Sequence, residues 1–229
     1  ADIIFLAVPV GVMAEVVKKV FSNLKPGAIL TDTGSTKRSV INDINPLISK
    51  DISFVPGHPL AGTEFSGPSS GFPTLFKNHY WLLIGEEKTN PGISAVSKFC
   101  KKLGAIVEVL DADYHDRILA ITSHLPHLIA FTIVGTASDL EQDLKNDVIR
   151  FSASGFRDFT RIAASDPTMW RDVFLNNDEA VLEMLERFID DLRYLQKAIN
   201  QREGDILLNL FKRTGEIRRS IIDMGFAKK

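Results

Sequence analysis

The 229-residue chain is long enough for one large domain or two moderate ones, each able to bury a core. Its 27 basic and 29 acidic residues leave a net charge of -2, which provides no general attraction to nucleic acid or to an anionic membrane. No apolar run in the sequence reaches the ~20 residues of a membrane span, and the single cysteine, Cys100, fits a reducing compartment, so we expect a cytoplasmic protein.

Strand and helix patterns alternate through the first half of the sequence. The apolar run Ile3–Val8 predicts a strand that ends at Pro9, and apolar residues at every fourth position then predict a helix over Val12–Leu24. The same alternation continues with strands at Ala28–Asp32, from Phe54, at Tyr80–Gly85 and at Ala105–Leu110, and with helices at Thr36–Lys50 and Pro91–Leu103. Such alternation is typical of parallel βαβ units in an open α/β sheet.

The second half has a helical pattern, with no convincing strand beyond Asp113. Residues Ile118–Ala137 are apolar nearly all round, so as a helix they would be buried on every side, with an interruption at Pro126. A later apolar seam repeats at intervals of four and three residues, at Val181, Leu185, Phe188, Leu192, Leu195 and Ile199. This spacing predicts a helix packed along another helix, in a bundle or at a subunit interface. We therefore place one domain at residues 1–113 and a helical domain at residues 114–229.

Polar and turn-forming residues follow three successive predicted strands. Val8 and Pro9 close the first strand, the motif TDTGSTK (Thr31–Lys37) follows the second, and His58 follows the third. In open α/β sheets, ligands bind outside the carboxyl ends of the strands, so these positions predict a single site. For TDTGSTK taken alone, an ordinary turn whose hydroxyl groups cap the next helix is the competing interpretation.

Two histidines lie three residues apart in SHLPH (Ser123–His127), a spacing that places both rings on one face of a helix. A zinc site is conceivable, but the sequence has neither an H-E-x-x-H motif nor paired cysteines. Histidines that are hydrogen-bonded at the edge of a core are the competing interpretation.

Arginines interleave with aromatic residues in GFRDFTRIAASDPTMWRD (Gly155–Asp172). The rigid guanidinium group suits a carboxylate or a phosphate. A solvated helix face, with each arginine paired to a nearby aspartate, is the alternative.

Five motifs occur in one order along the chain: AVP (Ala7–Pro9), DTGSTK (Asp32–Lys37), GHPLAGTE (Gly57–Glu64), SHLPH (Ser123–His127) and GFRDFTRIAASDPTMW (Gly155–Trp170). Together they resemble the prephenate and arogenate (cyclohexadienyl) dehydrogenase family of tyrosine biosynthesis. The resemblance implies an α/β Rossmann-type nucleotide-binding domain followed by an all-α dimerisation domain. It also implies NAD or NADP as cofactor, a homodimer, and a cleft between the domains for a cyclohexadienyl substrate.

The resemblance also implies roles for individual residues. His58 would be the base that faces the ring hydroxyl of the substrate, with Ser35 as its polar partner near the nicotinamide. The implied substrate-binding positions are His127, Arg161, Glu64, His124 and Ser123. Among these, Glu64 would be a gate or ionic partner of the pocket, and His124 and Ser123 would support the others.

The implied cofactor-binding positions lie after the first two predicted strands, at Val8, Pro9, Asp32, Thr33, Gly34 and Ser35, and no metal ion is implied. The sequence contains no glycine-rich G-x-G-x-x-G turn of the dinucleotide-binding kind, nor the acidic residue expected ~20 residues beyond it. NAD and NADP are therefore both compatible with the sequence. Because the chain begins inside a strand, we expect the native protein to extend upstream of Ala1 by at least one βαβ unit, roughly 30 residues or more.

The activity implied by the resemblance is the oxidative decarboxylation of prephenate to 4-hydroxyphenylpyruvate, of arogenate to tyrosine, or of both. A neutral histidine suits the proton transfer because its pKa lies near working pH. Three alternatives stay open: a β-hydroxyacid dehydrogenase that relies on a lysine base, a cofactor-free regulatory or binding relative, and a metal-dependent hydrolase that uses the H-x-x-H pair. No nucleic-acid or membrane partner is implied.

Overall fold

The first part of the chain forms a parallel sheet from strands that alternate with helices. The computed structural model describes residues 1–62, 67–139, 147, 150–151 and 153–221. Strands β1 (Ile3–Leu6), β2 (Ile29–Asp32) and β3 (Ser53–Val55) are parallel and lie in that order. Helices α1 (Met13–Val20) and α2 (Arg38–Ile44) connect them, which confirms the predicted βαβ alternation.

A second three-stranded sheet follows, and one of its strand pairs is antiparallel. Strand β4 (Gly57–Pro59) pairs antiparallel with β5 (Tyr80–Ile84), which pairs parallel with β6 (Ile106–Leu110). The chain changes sheet at Pro56, which has no backbone N–H with which to extend the β3 ladder. His58 follows the third strand, as predicted, but it lies within the short strand β4 and not in a loop.

Apolar side chains cover both faces of the parallel sheet. Leu6, Leu30 and Phe54 belong to a buried cluster that also includes residues of α1 and α2. Val55 packs instead in a second cluster with helix α3 (Gly92–Lys102). Because successive side chains of a strand point to opposite faces, both sides of this sheet are apolar, and the strands appear in the sequence as continuous apolar runs.

One long helical run, Ala112–Ser138, follows β6. It consists of α4 (Ala112–Leu119), a π turn (Ala120–His124) and α5 (Leu125–Ser138). Pro126 lies in the first turn of α5, next to the wide π turn, where the missing N–H of proline is tolerated. The predicted interruption at this proline is thus a change of helix type and not a break.

The apolar part of this run is less buried than its composition predicts. Within α5, Leu125 and Ala130 are buried, whereas Ile133 and Val134 are each more than a third exposed. The expectation of burial on every side is therefore wrong for the single chain. The apolar face of α5 that includes Ile133 and Val134 is therefore not covered by any other described part of the protein.

By length and composition alone, the same run could cross a membrane. An 18-residue stretch of it has a mean hydropathy of 1.6, and 28% of that stretch is buried inside the protein. This finding corrects the statement, made from the sequence, that no apolar run is long enough for a membrane span. However, His115, Asp116 and His124 within the run are buried and hydrogen-bonded to other segments of the chain. These bonds tie the run to the rest of the protein.

Helices make up the described chain after residue 153. They are α6 (Ser154–Thr160), α7 (Pro167–Asn176), α8 (Asp178–Asn200) and α9 (Gly204–Ile221). By its internal contacts the chain divides into two compact units, residues 1–181 and 182–229, while the domain boundary placed after Asp113 stays a prediction. Along the apolar seam of α8, Val181 is buried, whereas Leu192 and Ile199 are 48% and 61% exposed.

A fully buried ion pair joins the end of β2 to the start of β4. The Lys37 ammonium donates hydrogen bonds to the Asp32 carboxylate and to the Gly57 carbonyl oxygen, which is 2.6 Å away. Asp32 also accepts the backbone N–H of Gly57 at 3.0 Å and that of Gly34 at 2.8 Å. Burial lowers the pKa of the Lys37 ammonium, and the charge of Asp32 opposes that shift. The pair therefore fixes the backbone that carries His58.

We expect Lys37→Met to lower the free energy of unfolding by about 3–5 kcal/mol, because it leaves the buried Asp32 carboxylate without its cation. Urea denaturation measures this change. Lys25→Met is the matched control, since Lys25 and Asp2 form an exposed pair and the denaturation midpoint should stay where it is. A Lys37→Met protein as stable as the parent would show that the buried pair is dispensable.

Candidate active site

A cleft of about 530 Å³ opens between β4 and the π turn. The polar, charged and aromatic-ring side chains in its wall belong to His58, His79, Thr122, Ser123, His127, Arg161, Ser165 and Trp170. Four of the residues predicted from sequence, at positions 58, 123, 127 and 161, therefore meet in one cavity. A preformed cavity with a few convergent polar groups is the usual form of a small-molecule site.

The backbone at His58 has little freedom. Within the β4–β5 ladder, His58 lies opposite Leu82. A Cβ atom on Gly57 would lie 2.8 Å from the Asp32 carbonyl oxygen, a distance that side chains do not tolerate, so only glycine fits there. The His58 side chain is thus held at the wall of the cleft by a strand that is paired with β5 and packed closely against the end of β2.

Three side chains form a hydrogen-bonded chain that ends at the cleft. His58 Nδ1 lies 2.9 Å from His115 Nε2, and His115 Nδ1 lies 2.7 Å from Asp116 Oδ1. The Asp116 carboxylate also accepts the backbone N–H groups of Lys37 and Arg38, both at 2.9 Å. The chain therefore connects β4 to α4 and to the start of α2, and all three of its side chains are buried.

Burial favours the neutral form of both rings. It places the pKa of His58 well below 6.5, and the neighbouring His115 and the Lys37 cation lower it further. Burial also lowers the pKa of His115, while its hydrogen bond to Asp116 opposes that shift. A ring that is neutral at working pH has a free lone pair, and this is the property required of a general base.

His124 lies behind the cleft wall, in contact with Asn177. The Asn177 amide donates to the Asp116 carbonyl oxygen at 2.9 Å and lies 3.0 Å from His124 Nδ1. His124 Nε2 is buried with no hydrogen-bond partner among the described atoms, and burial lowers the pKa of this ring to about 4. The sequence assigns His124 a supporting place among the substrate-binding residues, and in the structure it lies behind the wall and does not line the cleft.

His127 presents one ring nitrogen to the cleft. Its Nδ1 donates to the Ser123 carbonyl oxygen at 2.8 Å, which leaves Nε2 as the acceptor of the neutral ring. The ring stacks on Trp170, with 3.6 Å between ring centroids and 21° between the planes. Burial lowers the pKa of His127, and the charge of Arg161 contributes in the same direction. A neutral ring and a guanidinium thus share this side of the cleft.

Two of the predicted cofactor residues have internal roles. The Asp32 carboxylate is fully buried in its ion pair with Lys37, and the assignment of Asp32 to the cofactor site stays a prediction. Gly34 is buried, and a Cβ there would lie 2.9 Å from that carboxylate. The other predicted positions follow β1 and β2 and are at least partly exposed: Val8, Pro9, Thr33 and Ser35.

The sequence predicts Ser35 as the hydrogen-bond partner of His58, but the partner of His58 Nδ1 in the structure is His115. Neither His115 nor Asp116 was assigned a role from the sequence, although a His-Asp dipeptide shortly after the last strand could have drawn attention. No pattern in the sequence pointed to a role for Asn177. Glu64 lies outside the described residues, so its role stays a prediction.

Among the residues that the structure describes, no group of three or more His, Cys, Asp or Glu side chains is arranged to hold a metal ion. The Nδ1 atoms of both His124 and His127 already have hydrogen-bond partners within the protein. In the described part of the chain, the hydrolase alternative therefore lacks a third ligand.

Both halves of the chain match known protein families. Residues 1–109 match the nucleotide-binding domain of prephenate dehydrogenase, and residues 111–213 match the dimerization domain of prephenate dehydrogenase. Together the two matches cover nearly the whole chain.

Curated relatives of the chain are named as dehydrogenases of prephenate or of cyclohexadienyl compounds. The cyclohexadienyl dehydrogenase of Zymomonas mobilis is 40% identical over 222 residues, which cover 96% of this chain and 75% of the relative. The prephenate dehydrogenase of Lactococcus lactis is 36% identical over 96% of this chain and 61% of its own length. The chain thus spans about three-quarters of the first relative and about three-fifths of the second.

Solved structures agree with these sequence matches. Prephenate dehydrogenase from Aquifex aeolicus, in complex with hydroxyphenyl propionate and NAD+, has a TM-score of 0.88 and is 34% identical, covering 96% of this chain and 76% of that one. Synechocystis arogenate dehydrogenase has a TM-score of 0.79 and is 27% identical, covering 96% of this chain and 79% of the other.

We expect the protein to lose stability as the pH falls from 6.5 towards 4. The folded-state pKa values of His58, His115 and His124 are lowered, so below 6.5 the unfolded chain takes up protons that the folded chain does not. The free energy of unfolding therefore has its full value above pH 6.5. Below that pH it falls by at most about 1.4 kcal/mol per histidine per pH unit. Urea denaturation between pH 7.5 and 4.5 measures it.

His124→Gln removes one of these groups and should make the pH dependence shallower. A free energy of unfolding that stays constant between pH 7 and 5 would contradict the neutral buried rings.

Proposed function

The chain belongs to the prephenate dehydrogenase family, and we propose that it oxidises prephenate, arogenate or both with NAD or NADP, with loss of the ring carboxylate as carbon dioxide. Prephenate would give 4-hydroxyphenylpyruvate and arogenate would give tyrosine. The observation that carries the proposal is a neutral, hydrogen-bonded His58 at the wall of a cleft that also holds Arg161 and His127.

His58 is proposed as the general base. As the ring hydroxyl of the substrate is oxidised, its proton must leave, and His58 Nε2 is the nitrogen that the hydrogen bond to His115 leaves for this purpose. Loss of the ring carboxylate then makes the ring aromatic, which renders the reaction effectively irreversible. The position of the base is set by β4 and the Lys37 ion pair, so little reorganisation is needed.

The nicotinamide cofactor accepts the hydride when bound. The residues present fit such a group, because β1 and β2 are parallel neighbours whose carboxyl ends lie side by side, at Leu6 and Asp32. Dinucleotides bind outside the carboxyl ends of parallel strands. The positions there that are at least partly exposed are the proposed cofactor contacts, namely Val8, Pro9, Thr33 and Ser35.

Arg161 and His127 are proposed to hold the substrate. Prephenate and arogenate carry carboxylates, and a guanidinium can bind a carboxylate through two parallel hydrogen bonds. His127 Nε2 adds a hydrogen-bonding group on the same side, held in place by stacking on Trp170. Ser123 lies beside them in the lining of the cleft.

We also propose a homodimer formed through the helical part of the chain. Large apolar side chains are exposed on α5, at Ile133 and Val134, and on α8, at Leu192 and Ile199. The match to a dimerization domain over residues 111–213 supports a second copy as their cover. Light scattering on the purified protein would give the mass of two chains, and a monomer at micromolar concentration would refute this assembly. The cytoplasm stays the proposed location.

The activity is tested by mixing the purified protein with each substrate and each cofactor and following reduced nicotinamide by absorbance. Oxidation in one of the four combinations supports the proposal, and the relative rates identify the preferred pair. No oxidation in any of them would favour the cofactor-free alternative.

His58→Asn should lower kcat by about 10²–10⁴-fold with the KM for substrate little changed, because asparagine keeps a polar side chain but cannot take the proton. In the parent, kcat should fall at acid pH as His58 becomes protonated, at a pH well below 6.5 since burial depresses its pKa. This acidic limb should be absent from the variant.

Arg161→Ala is the contrasting variant. It removes a contact made in both the ground state and the transition state, so it should mainly raise KM. If His58→Asn kept most of its kcat, the base would have to be another group of the cleft.

A further inference from the structure

We propose that Asp116 and His115 form a positioning pair that fixes the tautomer of His58, so that the lone pair of the base always lies on Nε2, the nitrogen not bonded to His115. This inference rests on the proposed function, because it assigns the pair a role in the reactivity of the base. Neither residue lines the cleft, so each acts through His58.

The direction of the hydrogen bonds is set at Asp116. Its carboxylate accepts the backbone N–H of Lys37 on Oδ1 and that of Arg38 on Oδ2. These two backbone groups can only donate, and an ionised carboxylate, which accepts at both oxygens, has no hydrogen of its own to donate. The third contact, to His115 Nδ1 at 2.7 Å, must therefore have its hydrogen on the histidine.

The tautomer of His115 then determines that of His58. With hydrogen on Nδ1, a neutral His115 has its lone pair on Nε2. That lone pair lies 2.9 Å from His58 Nδ1, which must supply the hydrogen. A neutral His58 with hydrogen on Nδ1 has its own lone pair on Nε2. The acceptor character of one buried carboxylate is thus transmitted through two rings.

The charges around His58 agree with this assignment. Burial is the main factor that disfavours a proton on His58, and the neighbouring His115, Lys37 and His124 act in the same direction. Asp116 is the anion bonded to His115, and Asp32 is paired with Lys37. When His58 takes up a proton from the substrate, His115 can still accept its Nδ1–H, and Asp116 can stabilise the new charge through that ring.

The test uses two substitutions of His115 and one control. In His115→Phe a ring of similar size fills the site, but the acceptor for His58 Nδ1–H is gone. Asp116 keeps its bonds to Lys37 and Arg38, so the helix contact survives. In His115→Gln the side-chain carbonyl can again accept. Tyr114→Phe, on the exposed side of the same helix, should behave like the parent.

The first readout is the ¹⁵N spectrum of the imidazole nitrogens, with the His58 signals identified by their loss in His58→Asn. In the parent, His58 should have hydrogen on Nδ1 and a lone pair on Nε2. In His115→Phe both tautomers should be populated, and His115→Gln should restore the first. This readout needs no activity.

The second readout is kinetic. His115→Phe should lower kcat by about 10²-fold, within the range that general-base catalysis contributes, with the KM for substrate nearly unchanged. His115→Gln should recover most of that loss.

The inference is overturned if the parent has hydrogen on His58 Nε2, or if His115→Phe leaves the tautomer as it is, even when kcat falls. Unchanged kcat in His115→Phe would overturn it as well. A parent protein with the expected tautomer but no dehydrogenase activity would refute the proposed function and leave the geometry of the pair intact. If His115→Phe does not fold, the parent spectrum and His115→Gln decide the question.

Discussion

The charge of Lys37 has no access to water, and much of the structure follows from the way in which that charge is balanced. An unpaired ammonium in a protein interior is unstable by several kcal/mol, so Lys37 can be buried only where an anion and a carbonyl oxygen meet it. Asp32 comes from the end of β2, and the Gly57 carbonyl from the start of β4. The two sheets are therefore held at a fixed separation, and His58, the next residue after Gly57, has its position determined by the same contact.

Asp116 extends this constraint to the helical run. Its carboxylate is bound by the backbone of Lys37, its carbonyl oxygen is bound by Asn177, and its neighbour His115 holds His58. One side of the candidate site thus consists of segments that are far apart in sequence. Hydrogen bonds between buried groups hold these segments together. Because Lys37 is committed to these contacts, it is not available as the base of a lysine-dependent dehydrogenase.

The strands could be predicted from the sequence because both faces of the parallel sheet are apolar, which produces uninterrupted runs such as Ile3–Val8. The grouping of His58, His127 and Arg161 at one cleft was implied by the family resemblance of the motifs and not by the residues taken alone. The role of His115 did not, because a hydrogen bond to a residue 57 positions away leaves no local pattern. The exposed face of α5 was also missed, since composition reports how apolar a helix is and not what covers it.

The π turn has a consequence for the spacing of the two fully buried histidines of the long helical run. His115 and His124 are nine residues apart, which in an uninterrupted α-helix is two and a half turns and places them on opposite faces. Residues in the wider turn of Ala120–His124 advance by a smaller angle, so His124 is brought round towards the side where Asn177 contacts both it and the Asp116 carbonyl oxygen. If these five residues instead advanced as in a regular α-helix, the run would stay helical but everything after the turn would be rotated. One of the two histidines would then face away from the protein interior, although no residue of the cleft had been replaced.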